Sequence, residues 1–233
     1  MKYSAFIHQR GVGLIELLIA LTLSIIIILA MLRAFVVTGK VTATASQGAR
    51  TDSGLMLGLI TTDRILQGIG YNLVDTTQGY GVNFQVFAED GTALNKGRVG
   101  KILVWKITSD KCQALVSKAN SLKIFGESEG YDCTSLAQPS ETTSSREIIQ
   151  NNSAGLTNNN NQIGRIDIKV QDATSPCFPF GIADQTVAVS TSTEVEATQG
   201  GKYQVVLIAH PYAASTESTS EPIQNITCLF NFK

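Results

Sequence analysis

The sequence predicts an α+β fold: a long N-terminal α-helix, its first half transmembrane, packed on an antiparallel β-rich C-terminal domain. Three observations carry that expectation. From Val12 to Leu32 the chain holds one ionisable side chain, Glu16, in an otherwise uncharged apolar run. From Leu55 onward, apolar residues recur at helical spacing. In the last part of the chain, short runs rich in β-branched and aromatic residues alternate with polar, turn-rich stretches.

The apolar run meets the requirement of roughly 20 residues for crossing a hydrocarbon core. It contains Ile25-Ile26-Ile27-Ile28, and β-branched residues lower helix propensity in water. Lipid, however, offers the backbone no partner outside the segment, so helix is the expected form. A cleaved secretory signal would have a shorter apolar run and a small-residue cleavage site after it. Lys2 and Arg10 do precede the run, but Ala30-Met31-Leu32-Arg33 is a poor cleavage site. A plain anchor accounts for the length and leaves Glu16 unexplained. A charge at the centre of a membrane helix costs about 2.5–3.5 kcal/mol on insertion scales. Glu16 therefore calls for a partner.

Ala34–Gln47 is small, polar and tolerant of helix. Leu55, Leu59, Leu66, Ile69 and Leu73 then form an amphipathic stripe, with Met56 and Ile60 beside it. A helix continuous to about Gln67 would span roughly 80–85 Å at 1.5 Å per residue. Gly39, Gly48, Gly54 and Gly58 are potential bends, and Gly68-Ile69-Gly70-Tyr71-Asn72 reads as its end. Strands are expected over Lys101–Thr108, Ser121–Phe125, Arg146–Gln150, Arg165–Gln171, Thr186–Ser190, Lys202–Ala209 and Ile226–Phe232. Ser135–Ser145 and Asn151–Gln162 read as long exposed loops. Trp105 alternates with apolar neighbours and is expected in the core.

Four cysteines, Cys112, Cys133, Cys177 and Cys228, follow the membrane segment. An even count without a C-x-x-C pair fits disulfides in an oxidising compartment rather than zinc. Three connectivities are open, as is the alternative of buried free thiols. Cys112–Cys133, closing a local loop, and Cys177–Cys228, tying down the last strand, are the expected pairs.

Catalytic chemistry is hard to place. The two histidines are His8 and His210, the second in Ala209-His210-Pro211-Tyr212. Glu127, Glu129 and Asp132 gather around Gly130 without an EF-hand pattern, and a solvated acidic turn is the simpler reading. Asp63-Arg64 reads as an ordinary solvated pair. No phosphate-binding glycine motif, cofactor motif or metal-ligand spacing occurs. A net charge of −1 gives no whole-chain cationic field for nucleic acid, and no basic–aromatic pattern suggests a strand-binding face. No enzymatic activity is expected.

The stretch Arg10-Gly11-Val12-Gly13-Leu14-Ile15-Glu16 resembles the class III signal of prepilins, the family of type IV pilins and type II secretion pseudopilins. Leu14, Ile15 and Glu16 match the family pattern; Val12 departs from its usual Phe and Gly13 from its usual Thr or Ser. The resemblance implies a leader over 1–11, a transmembrane or filament-core helix half over 12–37, an amphipathic half over 38–72 and a periplasmic β-domain over 73–233. It implies cleavage between Gly11 and Val12 by a prepilin peptidase, N-methylation of Val12, and an assembly role for Glu16. Cleavage creates a positive amine, and Glu16 can neutralise one on its own or a neighbouring subunit. An opposite-charge pair is strengthened in low dielectric while a lone charge is penalised, so pairing favours one axial register.

Asp63, Gly70 and Tyr71 resemble the helix ending of PilW-type minor pilins. On that resemblance the chain is expected in the inner membrane as a single-pass protein and then in the pilus filament. It would join other minor pilins and the major pilin in a priming or tip complex, supporting twitching motility, adhesion or DNA uptake. The alternative is a J-type pseudopilin of a type II secretion system. A third reading, a bitopic enzyme or receptor with a coincidental Glu16, predicts an uncleaved N-terminus.

Overall fold

A computed structural model describes residues 13–71, 73, 78–118, 121–150, 166–177, 200–210 and 221–232. The chain divides into two compact units, Met1–Gln47 and Gly48–Lys233. One helix, α1, runs over Leu14–Gln67 and contributes to both. It ends where the sequence predicts. The Gly68 and Ile69 N–H groups donate to Ile65 and Leu66 carbonyls three residues back, tightening the last turn. Gly70 follows at φ 87°, the left-handed region open to glycine. A Cβ there would also lie 2.8 Å from the Phe232 ring, so glycine is required for packing as well as for the turn.

Among the described residues ten strands follow: β1 (Phe84–Phe87), β2 (Val99–Gly100), β3 (Ile102–Lys106), β4 (Lys111–Lys118), β5 (Ser121–Phe125), β6 (Tyr131–Asp132), β7 (Ser145–Gln150), β8 (Ile166–Cys177), β9 (Gly201–Ala209) and β10 (Ile223–Leu229). They form two antiparallel sheets. The first has the order β1-β3-β4-β5-β7 with β6 added against β4; the second has the order β10-β9-β8-β2. Both the α+β class and the antiparallel sheets match the expectation.

The period-2 alternation of strands distributes side chains between two cores. Leu55, Leu59, Leu66 and Ile69 of the helix end pack with Leu103 and Trp105 of β3, Ile166 and Ile168 of β8, Val205 and Leu207 of β9, and Phe232. Trp105 is 1 % exposed, as its setting predicts. Gly58 lets β7 come close: an added Cβ would stand 2.0 Å from the Ile149 side chain. Phe84 makes edge-to-face contacts with Tyr80, Tyr203 and Phe232. A second, smaller core lies on the opposite face of the first sheet, with Phe87, Ile102, Val104, Ala114, Val116 and the Cys112–Cys133 bridge.

The strand expectations are met for Ser121–Phe125 and, within a residue or so, for Arg146–Gln150 and Lys202–Ala209. Lys101–Thr108 narrows to β3. β8 runs on from the expected Arg165–Gln171 to Cys177, and β10 starts at Ile223 and stops at Leu229, short of Phe232. β1, β2, β4 and β6 fall outside the expected strands. Met56 and Ile60, placed beside the buried stripe by sequence, are exposed. Thr186–Ser190 and Asn151–Gln162 lie outside the described residues.

Candidate functional site

The segment Leu14–Val41 carries large apolar side chains all round the helix, and all of them are exposed, Leu14 at 81 % and Phe35 at 78 %. A helix apolar on every side is suited to lipid or to other helices, not to water. It is the one helix among the described residues long and apolar enough to cross a membrane. Its hydroxyls are already satisfied within the helix. Thr22 donates to the Ile19 carbonyl at 2.9 Å, Ser24 to Ala20 at 2.8 Å and Thr38 to Ala34 at 2.8 Å.

Glu16 is the exception. It stands in the first turn, where a negative charge opposes the partial positive charge of the helix N-terminus. The Glu16 and Leu17 N–H groups both donate to the Gly13 carbonyl, at 2.9 and 3.2 Å. Among the described residues no side chain pairs with the Glu16 carboxylate, and the next charge on the helix, Arg33, lies about 25 Å further along it. Gly11 and Val12, the expected cleavage site, lie outside the described residues.

In the second unit the four cysteines form the two expected bridges, Cys112–Cys133 and Cys177–Cys228. The second joins β8 to β10 across the start of β9. Gly201 makes that crossing possible: a Cβ at this position would lie 2.8 Å from Cys228 Sγ and 2.7 Å from the Leu229 carbonyl.

Asp63 departs from expectation. It is no solvated partner of Arg64; instead it accepts from Thr227 Oγ1 at 2.5 Å and from Gln67 Nε2 at 2.7 Å. Thr227 is 1 % exposed, and satisfying its hydroxyl fixes the helix end on β10. Asn231 continues this tie, its amide donating to the Gln67 and Ile69 carbonyls left open at the helix end. Neither contact has a local sequence signal, because each partner lies over 160 residues away.

The acidic residues around Gly130 are not convergent. Glu127 forms a two-pronged pair with Arg146, and Asp132 pairs with Lys111 at 2.7 Å. Among the described residues no group of three potential ligands surrounds a common point. His210 follows β9 and is half-buried. Comparisons with protein-family models, with curated proteins and with solved structures find no match for this chain.

Proposed function

We propose that this chain is a type IV pilin-like subunit, most like a PilW-type minor pilin. In this reading it is processed between Gly11 and Val12, held in the inner membrane by α1 with its β-domain in the periplasm, and then drawn into a filament through α1. Its role is to join other minor pilins in starting assembly. The observation that carries the reading is the placement of Glu16. A lone carboxylate in the first turn of a helix apolar on every side, a few residues after Arg10-Gly11-Val12, has its natural partner in an amine freed at Val12. The two disulfides support the reading by suiting an oxidising compartment.

The test is mass spectrometry of the mature N-terminus from cells containing a prepilin peptidase, combined with Glu16→Ala. The expected mature chain begins at methylated Val12. Glu16→Ala should insert normally, since removing a charge from an apolar helix eases insertion, yet enter filaments at least tenfold less often. An intact Met1 sinks the processing step; unchanged incorporation of the variant sinks the pairing role.

A further inference from the structure

The second core is covered differently from the first. The main core lies between the helix end and both sheets. The second core has the first sheet on one side and, on the other, the segment 126–144, from which Tyr131, Cys133 and Leu136 pack inward. This segment is a strap with one fixed leg and one loose leg.

The fixed leg is anchored by the Cys112–Cys133 bridge, by the short β6 pairing with β4, and by the Cys133 N–H donating to the Asp110 carbonyl at 2.9 Å. Its ion pairs, Lys111–Asp132 and Glu127–Arg146, are exposed and hold little. The loose leg, 134–143, makes its hydrogen bonds inside the strap. Tyr131 Oη donates to the Ala137 carbonyl at 2.8 Å, the Thr143 N–H to Ser140, and the Ser140 hydroxyl meets those of Thr142 and Thr143.

Two independent features show imperfect seating. A cleft of about 130 Å³ opens between the loose leg and the sheet, floored by Ile102, Val116 and Phe125. At its wall Gln138 Nε2 is buried with no hydrogen-bond partner. The cleft keeps the leg from full contact with the apolar floor, and a buried amide without a protein partner is under-satisfied. Lifting the leg returns the Gln138 amide to water, against the cost of exposing the apolar floor.

We propose that the Cys112–Cys133 bridge is a redox latch on this strap. Oxidised, it holds 126–144 over the second core. Both cysteines are buried in the closed strap, Cys112 at 0 % and Cys133 at 6 % exposed, so the loose leg lifts first and admits a small dithiol. One dithiol sulfur attacks the bridge and forms a mixed disulfide, and its second sulfur then displaces the remaining cysteine. The chain gains two electrons and two protons as two thiols, and the dithiol leaves as a cyclic disulfide. With the bridge open the fixed leg follows, baring Ile102, Val104 and Val116, while the main core stays closed. The Cys177–Cys228 bridge has no such role, because both of its ends lie on strands already paired with β9. This proposal is independent of the filament reading.

The test uses the full chain in detergent and compares three forms by hydrogen exchange and limited proteolysis: oxidised, dithiothreitol-treated, and the double variant Cys112→Ala/Cys133→Ala. Trp105, the single tryptophan, lies in the main core and reports on it separately. The double variant should show at least tenfold faster exchange and new cleavage confined to 126–144, with Trp105 emission unchanged, and Cys177→Ala/Cys228→Ala should leave strap exchange unchanged. Dithiothreitol should reproduce the first pattern. Unchanged strap exchange in the double variant overturns the proposal. So does loss of the buried Trp105 emission together with strap exchange, which would make the bridge a staple of the whole fold.

Discussion

The two ends of α1 use the same apolar residue types for opposite purposes. Over Leu14–Val41 every large apolar side chain is exposed, whereas over Leu55–Ile69 exposure alternates with the helical turn: Leu55, Leu59 and Leu66 are buried, and Met56, Leu57 and Ile60 are not. Apolar content without periodicity fits a helix that meets lipid or other helices. Apolar content with periodicity marks a helix that has found a sheet. The contrast separates side chains that stabilise the β-domain from exposed ones, which the proposed reading assigns to insertion or assembly.

The sharpest way to break that contrast is a pair of truncations. Leu59 is 2 % exposed in the main core, so Leu59→Ala should destabilise the β-domain by about 2–5 kcal/mol, the usual range for emptying such a site. Leu23 is 54 % exposed, so Leu23→Ala should leave domain unfolding within about 0.5 kcal/mol of the parent. Thermal unfolding followed by Trp105 fluorescence in detergent measures both. A comparable loss from Leu23→Ala would mean that the first stretch is packed against the domain.

This division was largely legible in the sequence because it rests on period and charge, which are local. The uncharged run, the Leu55–Ile69 stripe and the Gly68-Ile69-Gly70 ending each state their structure within a few residues. β4 was not legible. Lys111-Cys112-Gln113-Ala114-Leu115-Val116-Ser117-Lys118 is flanked by lysines and carries Gln and Ser among its apolar residues. It is a strand because it is central in its sheet, between β3 and β5, and tertiary context overrides weak local preference. β1, four residues long, is too short for alternation to stand out, and all four are buried. At the candidate site, Glu16 stood out as the one charge in its run, whereas Asp63 misled. Its neighbour in sequence is Arg64, while its partner in space is Thr227.

Asp63 supplies the next test, because it fixes the periodic end of the helix and has no counterpart at the apolar end. Hydrogen bonds to a charged group contribute about 1.5–3 kcal/mol. Asp63→Ala should therefore lower domain stability by about that amount, and it also leaves the buried Thr227 hydroxyl unpaired. Arg64→Ala, at an exposed position, should change it by less than about 0.5 kcal/mol. Equal effects of the two variants would restore the reading of Asp63-Arg64 as a self-contained pair.

The smallest effect concerns the strap, which lies far in sequence from either end of the helix, and it turns on pH. Hydrogen bonding from Arg146, offset in part by burial, holds the Glu127 carboxyl below its ordinary value of 4.5. A depressed carboxyl contributes stability that is present above 4.5 and is lost as pH falls through the lowered value. On the alkaline side, burial raises the Tyr131 phenol above 10.0, and the Asp132 hydrogen bond raises Lys111 above 10.5. A raised group contributes stability that is full below its ordinary value and declines as pH rises past it. The strap should therefore hold best between these limits and loosen beyond either. Solvent screening keeps the acid branch small, since Glu127 and Arg146 are both exposed. Strap exchange, corrected for its intrinsic pH dependence, should rise less than threefold on the acid side. Glu127→Gln should flatten that branch and leave the alkaline one intact. An acid branch that persists in Glu127→Gln would assign the loosening to other carboxylates and remove this pair from the strap's anchoring. An acid response as large as that of the Cys112→Ala/Cys133→Ala variant would mean that charge, rather than the covalent bridge, keeps the strap closed.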